Sequence, residues 1–258
     1  MQFVKYHGTG NDFILIDDRA RQFPAQDYAY VAALCHRRFG IGADGLILLQ
    51  PAAEPGQQFH MAYYNADGRP STFCGNGGRC TVAFAASLGL VAPGAEVRFT
   101  AADGLHTAVY HSTERVELAM RPAASPKPVT LADGQAGFFI DTGSPHLILP
   151  VSAVAEVEVV ALGRTYRHDP LFASIGGANV NFVERLSTSH LHVRTYERGV
   201  EDETLSCGTG VTAAALWAAP SHTVRVDTPG GTLSVTSTAD LSQVTLSGPA
   251  QQVFTGTL

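Results

Sequence analysis

Short apolar stretches set between glycine, proline and asparagine divide most of this chain into strand-sized pieces, and helical spacing occurs in only a few places. Phe3 to Tyr6 and Phe13 to Asp17 read as strands around a Gly8-Thr9-Gly10-Asn11 turn, because glycine tolerates the positive φ that a reversing chain needs. Between Tyr28 and Phe39, Val31, Leu34 and Cys35 fall at helical spacing, and Arg37-Arg38 followed by Gly40 looks like a helix C-terminus. Leu46 to Leu49 and Met61 to Tyr64 follow as strands. Arg79 to Leu88, ended by Gly89, is helical. Val97 to Thr100, Leu105 to Tyr110 and Val116 to Met120 then cluster like antiparallel strands.

Arg121 to Val129 carries Pro122, Pro126 and Pro128 and is the best linker candidate. Beyond it the scheme repeats: strands near Gly137 to Thr142, His146 to Pro150, Asn179 to Glu184 and His192 to Tyr196, a helix from Gly210 to Ala219, then strands to the end. Cys74-Gly75-Asn76-Gly77-Gly78 finds its match in Cys207-Gly208-Thr209-Gly210-Val211, and Met61 to Asn65 lines up with Val193 to Glu197. The chain reads as internally duplicated. The expected fold is α/β (α+β), with two pseudo-symmetric domains facing each other across a cleft. Each would be a curved mixed sheet or barrel around one central helix. Residues 1–120 with 249–258 form the first domain, which takes the closing strand Gln252 to Thr257, and 121–248 form the second.

A length of 258 residues with 45% hydrophobic content supports two cores of this size. Net charge is −6, with no basic tract, so the electrostatic footprint of a nucleic-acid binder is missing and a small-molecule partner is expected. No uninterrupted apolar run has membrane-spanning length, and Met1 to Gly10 lacks the pattern of a signal peptide. That makes a soluble, unexported protein the expectation. Four cysteines without a Cys-x-x-Cys pair, and ten scattered histidines, give neither a disulfide framework nor a metal-ligand frame. No metal is expected.

The candidate chemistry lies in the matched cysteines. A helix N-terminus carries unpaired N–H groups and partial positive charge, which favours a thiolate there and offers donors to a substrate carboxylate. A lone cysteine before glycines reads more readily as a small buried hydrophobe; two in equivalent surroundings do not. Cys35 and Cys80 lack such surroundings and read as core. Glu197-Arg198 is either a solvated surface pair or, next to Cys207 in the duplicated frame, a clamp for an ammonium and a carboxylate. Asn11, Asn65, Asn76 and Asn181 can orient a zwitterion without adding charge, or serve only as turn residues. His146 is either a site histidine or a structural one. Gly40-Ile41-Gly42-Ala43-Asp44-Gly45 matches G-x-G-x-x-G, but with a helix before it and a strand after it, the reverse of a dinucleotide site.

Taken together, Gly8-Thr9-Gly10-Asn11-Asp12-Phe13, Asn65-Ala66-Asp67-Gly68, Cys74 to Cys80, Gly143-Ser144-Pro145-His146, Asn179-Val180-Asn181-Phe182, Glu197-Arg198-Gly199 and Cys207 to Gly210 resemble the diaminopimelate epimerase family, in order along the whole chain. The resemblance implies epimerisation of LL-diaminopimelate to the meso form, on the route to lysine and peptidoglycan, without pyridoxal phosphate or any other cofactor. It further implies a cytoplasmic homodimer. Cys74 and Cys207 would be the catalytic acid and base. Asn11, Asn65, Gly75, Asn76, Ser144, Asn181, Glu197, Arg198, Gly208 and Thr209 would contact substrate, and His146 with Glu197 would adjust the thiols. Two positions depart from the pattern: Ser144 stands where many members have asparagine, and Gly45 where some have a substrate-facing glutamine.

Inverting Cα requires removing hydrogen from one face and supplying it to the other, so one thiol should act as base and the other as acid, with coupled titrations. A related racemase acting on histidine, proline or hydroxyproline would share the thiols but not need the Glu197-Arg198 clamp. A thiol–disulfide protein would be expected to show a close-spaced cysteine motif. A binding protein would tolerate loss of both thiols.

Overall fold

A computed structural model describes all 258 residues, Met1–Leu258. The chain forms two compact units, Met1–Leu118 with Gly248–Leu258, and Ala119–Ser247.

The first unit runs β1 (Gln2–Gly8), β2 (Asn11–Asp17), α1 (Tyr28–Cys35), β3 (Gly45–Gln50), β4 (Phe59–Asn65), α2 (Gly75–Ser87), β5 (Glu96–Ala101), β6 (Gly104–Ser112) and β7 (Arg115–Met120). β1 and β2 are antiparallel, β2 and β3 parallel, β3 and β4 antiparallel, β4 and β5 parallel, and β5, β6 and β7 antiparallel in turn. α2 packs against β1, β2, β3 and β6, so the sheet curls around it. On the opposite face α1 covers Ile14, Ile16, Leu46 and Leu48 with Val31 and Cys35. Being buried on both faces is what makes β2 and β3 continuous apolar runs rather than alternating ones.

The second unit runs β8 (Lys127–Thr130), β9 (Ala136–Asp141), β10 (Pro145–Val151), α3 (Val159–Arg167), β11 (Asn179–Ser187), β12 (His190–Glu197), β13 (Asp202–Thr204), α4 (Gly208–Ala218), β14 (Thr223–Thr228), β15 (Gly231–Ser237) and β16 (Val244–Gly248). β17 (Gln251–Thr257) then returns to the first unit and pairs antiparallel with β1. The pairings repeat those of the first unit: β9 and β10 antiparallel, β10 and β11 parallel, β11 and β12 antiparallel, β12 and β14 parallel, then β14, β15 and β16 antiparallel. α4 is wrapped by β9 to β12, β14 and β15, and α3 covers the outer face at Leu147, Val180, Phe182 and Tyr196.

The helices differ from the sequence expectations in three ways. α1 stops at Cys35, because His36 turns extended and Gly40 folds back onto the helix; a Cβ on Gly40 would lie 2.0 Å from the Ala33 carbonyl oxygen. The second unit has two helices rather than one, α3 being the counterpart of α1. Both central helices begin earlier than their apolar runs, at Gly75 and Gly208, where glycine's low helix propensity hides the first turn.

Candidate active site

In the first unit, Cys74 is the N-cap of α2, extended at φ −125° and ψ 120°, and its side chain makes no capping hydrogen bond. The first intrahelical bond runs from Gly78 N to Cys74 O, so the N–H groups of Gly75, Asn76 and Gly77 are not used by the helix. The thiol of Cys74 donates to Asn11 Oδ1 at 3.4 Å, and Asn76 Nδ2 donates to the same oxygen at 3.3 Å. Asn11 Nδ2 in turn donates to Asp44 Oδ2 at 2.7 Å. Arg37 pairs with Asp44 at 2.6 Å and with Asp12 at 2.7 Å, and Lys5 pairs with Asp12 at 2.7 Å. Burial pushes the Asp12 carboxyl up, but the hydrogen bonds and charges of Arg37 and Lys5 outweigh it and hold the group well below the usual carboxylate range.

The floor beneath this helix mouth is apolar. A Cβ on Gly77 would meet Ile47, Met61 and Phe13 at 3.0 to 3.5 Å, so glycine lets the first turn settle onto the sheet. The Tyr63 ring stands edge-on to Phe13, with centroids 5.9 Å apart, and covers Gly45, where a Cβ would fall 2.6 Å from the ring. Gly45 is therefore glycine because the Tyr64 carbonyl oxygen, 2.5 Å from where a Cβ would sit, and the Tyr63 ring fill its space; Tyr63 is a residue the sequence reading did not single out. Asn65 ends β4 opposite Gly45, exposed, in the turn closed by Gly68 N to Asn65 O.

In the second unit, Cys207 is the N-cap of α4 at φ −107° and ψ 110°, with Val211 N bonding Cys207 O. Its sulfur lies 3.4 Å from Thr209 Oγ1, and Thr142 Oγ1 donates to Thr209 O at 2.9 Å, pinning the helix mouth. This floor is polar. Asn181 is fully buried; its Nδ2 donates to Leu147 O at 3.0 Å and faces His146 Nδ1 at 3.1 Å, while Thr195 Oγ1 donates to its Oδ1 at 2.9 Å. The amide's orientation assigns the imidazole tautomer: Nδ1 accepts, so Nε2 carries the hydrogen and faces Ser144 Oγ at 3.2 Å. Burial, reinforced by the Arg198 charge, pulls the His146 pKa down to about 3, so the ring is neutral at physiological pH.

Several expected substrate contacts are thus committed internally. Asn181 is held in the core, with its Oδ1 so close to α4 that a Cβ on Gly210 would lie 2.3 Å from it. Ser144 accepts from Asn179 Nδ2 at 2.8 Å, and Asn179 Oδ1 accepts from Arg198 N at 2.8 Å. Asn179, quoted earlier only within its string, ties Ser144 to Arg198. Arg198 Nη1 donates to the carbonyls of Ile175 and Gly177 at 3.1 and 3.3 Å, and Thr204 donates to Glu197 Oε2 at 2.9 Å. Glu197 and Arg198 remain half-buried at the end of β12. No group of three or more His, Cys, Asp or Glu is arranged to hold a metal ion, and no helix is long and apolar enough to cross a membrane.

Comparison with solved structures identifies the architecture. A phenazine biosynthesis protein of the PhzF family from Bacillus anthracis superposes with a TM-score of 0.73 at 14% identity, covering 99% of this chain and 98% of that one. A hydroxyproline epimerase from Agrobacterium vitis gives 0.69 at 16% identity, covering 99% and 91%. The fold is the PhzF and proline racemase-like one. Two relatives are much nearer in sequence. The diaminopimelate epimerase of Flavobacterium psychrophilum is 43% identical over the full length of both chains, and that of Chlorobaculum tepidum 44% identical over 97% of this chain and 98% of its own. A family profile for diaminopimelate epimerase matches residues 3–125 and 138–253, and the chain belongs to that family.

Proposed function

We propose that the protein interconverts LL-diaminopimelate and meso-diaminopimelate by moving a proton at Cα between Cys74 and Cys207. One thiolate removes the Cα proton from one face, the other thiol gives its proton to the opposite face, and the cysteines exchange protonation states. The carrying observation is that both cysteines are N-caps of equivalent central helices within one repeated pairing scheme. The first-turn N–H groups at each mouth suit a carboxylate whose enolate character grows in the transition state; one such donor is worth about 3 kcal/mol in other enzymes. Half-buried Glu197 and Arg198 at the end of β12, with exposed Asn65, would hold the distal amino-acid head. Asn11 and Thr209 stand against the sulfurs and, with Asn76 bracing Asn11, orient the reacting centre, whereas Asn181 supports α4 from below, backed by neutral His146 and Ser144. No pyridoxal phosphate or other cofactor enters this scheme.

The same reading makes the protein a cytoplasmic enzyme of lysine and peptidoglycan precursor synthesis. It also makes it a homodimer, supported by exposed Val253 and Phe254 on β17. The test is incubation of reduced, cofactor-free protein with LL-diaminopimelate in D₂O. Meso product carrying deuterium at the inverted centre is expected. Folded protein giving neither product nor exchange refutes this substrate, and a panel of proline, hydroxyproline and histidine then separates a related racemase from a binding protein.

A further inference from the structure

Arg79 lies wholly inside the first unit, on α2 just beyond Cys74. Its Nη2 donates to Asn76 Oδ1 at 3.0 Å and Thr9 Oγ1 at 3.3 Å, its Nε donates to Pro249 O at 3.3 Å, and its Nη1 has no hydrogen-bond partner. A buried guanidinium is ordinarily paired with a carboxylate, because an uncompensated charge in a dry interior is costly. No carboxylate pairs with Arg79. Burial lowers its proton affinity, and the titratable groups that act on it are Cys80 and Cys74. Arginine nevertheless stays charged.

Of those two thiols, Cys80 does not supply the counter-charge, since complete burial pushes it up to about 12. Cys74 is only half-buried and has the α2 N-terminus beneath it. The second unit lacks this arrangement: Arg79 is the fifth residue after Cys74, and the fifth after Cys207 is Thr212, a neutral hydroxyl spent on Gly208 O at 2.9 Å. We propose that Arg79 is a positioning residue that makes Cys74 the thiolate, and leaves Cys207 the thiol, in the substrate-free enzyme. This rests on the two-thiol reading above.

The remaining groups around α2 do not reverse the assignment. Tyr6 on β1 is pushed up by burial; His106 on β6 pairs with Asp103; His7 and Tyr110 lie on β1 and β6, strands that pack on the helix; Asp12 and Asp44 are paired with Lys5 and Arg37. One contact opposes it: Asn11 Oδ1, 3.4 Å from the sulfur, suits a thiol. A thiol is a weak donor, and a full charge in a low-dielectric setting outweighs that bond. Around α4, His146 is neutral, with Glu197 and Arg198 at the end of β12.

The test is the pH dependence of iodoacetamide alkylation at single cysteines, read by mass spectrometry, in Cys207→Ala and Cys74→Ala backgrounds so that only one thiol of the pair titrates. The midpoint of the rate profile reports protonation independently of access. Cys74 should titrate at least about one pH unit below Cys207, and Arg79→Gln should raise its midpoint by about one unit, slowing its alkylation near neutrality about tenfold. Arg79→Lys, which keeps the charge, should restore it. A lower midpoint at Cys207, or an unmoved Cys74 midpoint in folded Arg79→Gln, overturns the proposal; if Arg79→Gln does not fold, the order of the two midpoints in the Arg79-containing proteins decides. Alkylation needs no substrate, so failure to epimerise diaminopimelate would refute the function while leaving this assignment to stand or fall separately.

Discussion

Asp44 fixes which end of the Asn11 amide faces Cys74. By accepting from Nδ2 at 2.7 Å it turns Oδ1 toward the sulfur and toward Asn76, and Arg37 holds the carboxylate in place. Asp44→Ala should let the amide rotate and lower kcat/KM on the order of tenfold to a hundredfold through misplacement at the reacting centre. The Arg37–Asp44 pair is largely exposed, so the thermal midpoint should barely move. Unaltered kinetics would show that the amide's orientation does not matter.

Cys74→Ala and Cys207→Ala should each lower turnover by about 100-fold to 10,000-fold. The double variant should be little worse than either, because the thiols act as one unit. Circular dichroism should match the parent protein. Cys35, the last residue of α1, buried against the sheet and pushed up to about 11 by burial, is the control: Cys35→Ala should keep its turnover.

Glycine tolerance should differ sharply between positions. A Cβ at Gly210 would lie 2.3 Å from Asn181 Oδ1, so Gly210→Ala should cost about 1–3 kcal/mol from overpacking. A Cβ at Gly75 meets only Leu118 at 3.8 Å, and Gly75→Ala should leave stability unchanged or raise it by about 0.5 kcal/mol. Denaturant midpoints of the two variants check both signs. Equal midpoints would contradict the packing described.

The buried imidazole gives a pH prediction with a definite sign. Unfolded, His146 would titrate near 6.5, whereas folded it does so near 3. Below 6.5 the unfolded chain takes up a proton that the folded protein refuses. Stability therefore falls as pH drops from about 6.5 toward 3, by up to ~1.4 kcal/mol per pH unit from this group. In an NMR titration the His146 ring signals should stay flat down to about pH 4. A midpoint near 6.5 would mean that the ring is not enclosed as described.

The cysteine helix mouths were legible because their glycines and offset repeat in the sequence. α3 was not, although its counterpart α1 was. Its run is short and interrupted by Gly163, which is glycine because a Cβ would fall 2.4 Å from Cβ of Tyr196. Carrying α1 through the duplication would have found it. The fate of Asn181 was hidden for another reason: a polar residue in a strand reads as exposed until its partners are known, and His146, Leu147 and Thr195 come from β10 and β12. Tyr63 was missed because a tyrosine in a strand looks like core, and its bearing on Gly45 depends on the β3–β4 register.

β17 also governs the order of events during synthesis. The second unit is one continuous stretch, Ala119–Ser247, and can collapse as it leaves the ribosome. The first unit cannot complete its sheet then, because β1, made first, waits for β17, made last. The half carrying Cys74 and its buried arginine therefore reaches its final form only after the half carrying Cys207 has been synthesised, and its closing step spans nearly the whole polypeptide, the slowest kind of contact to form.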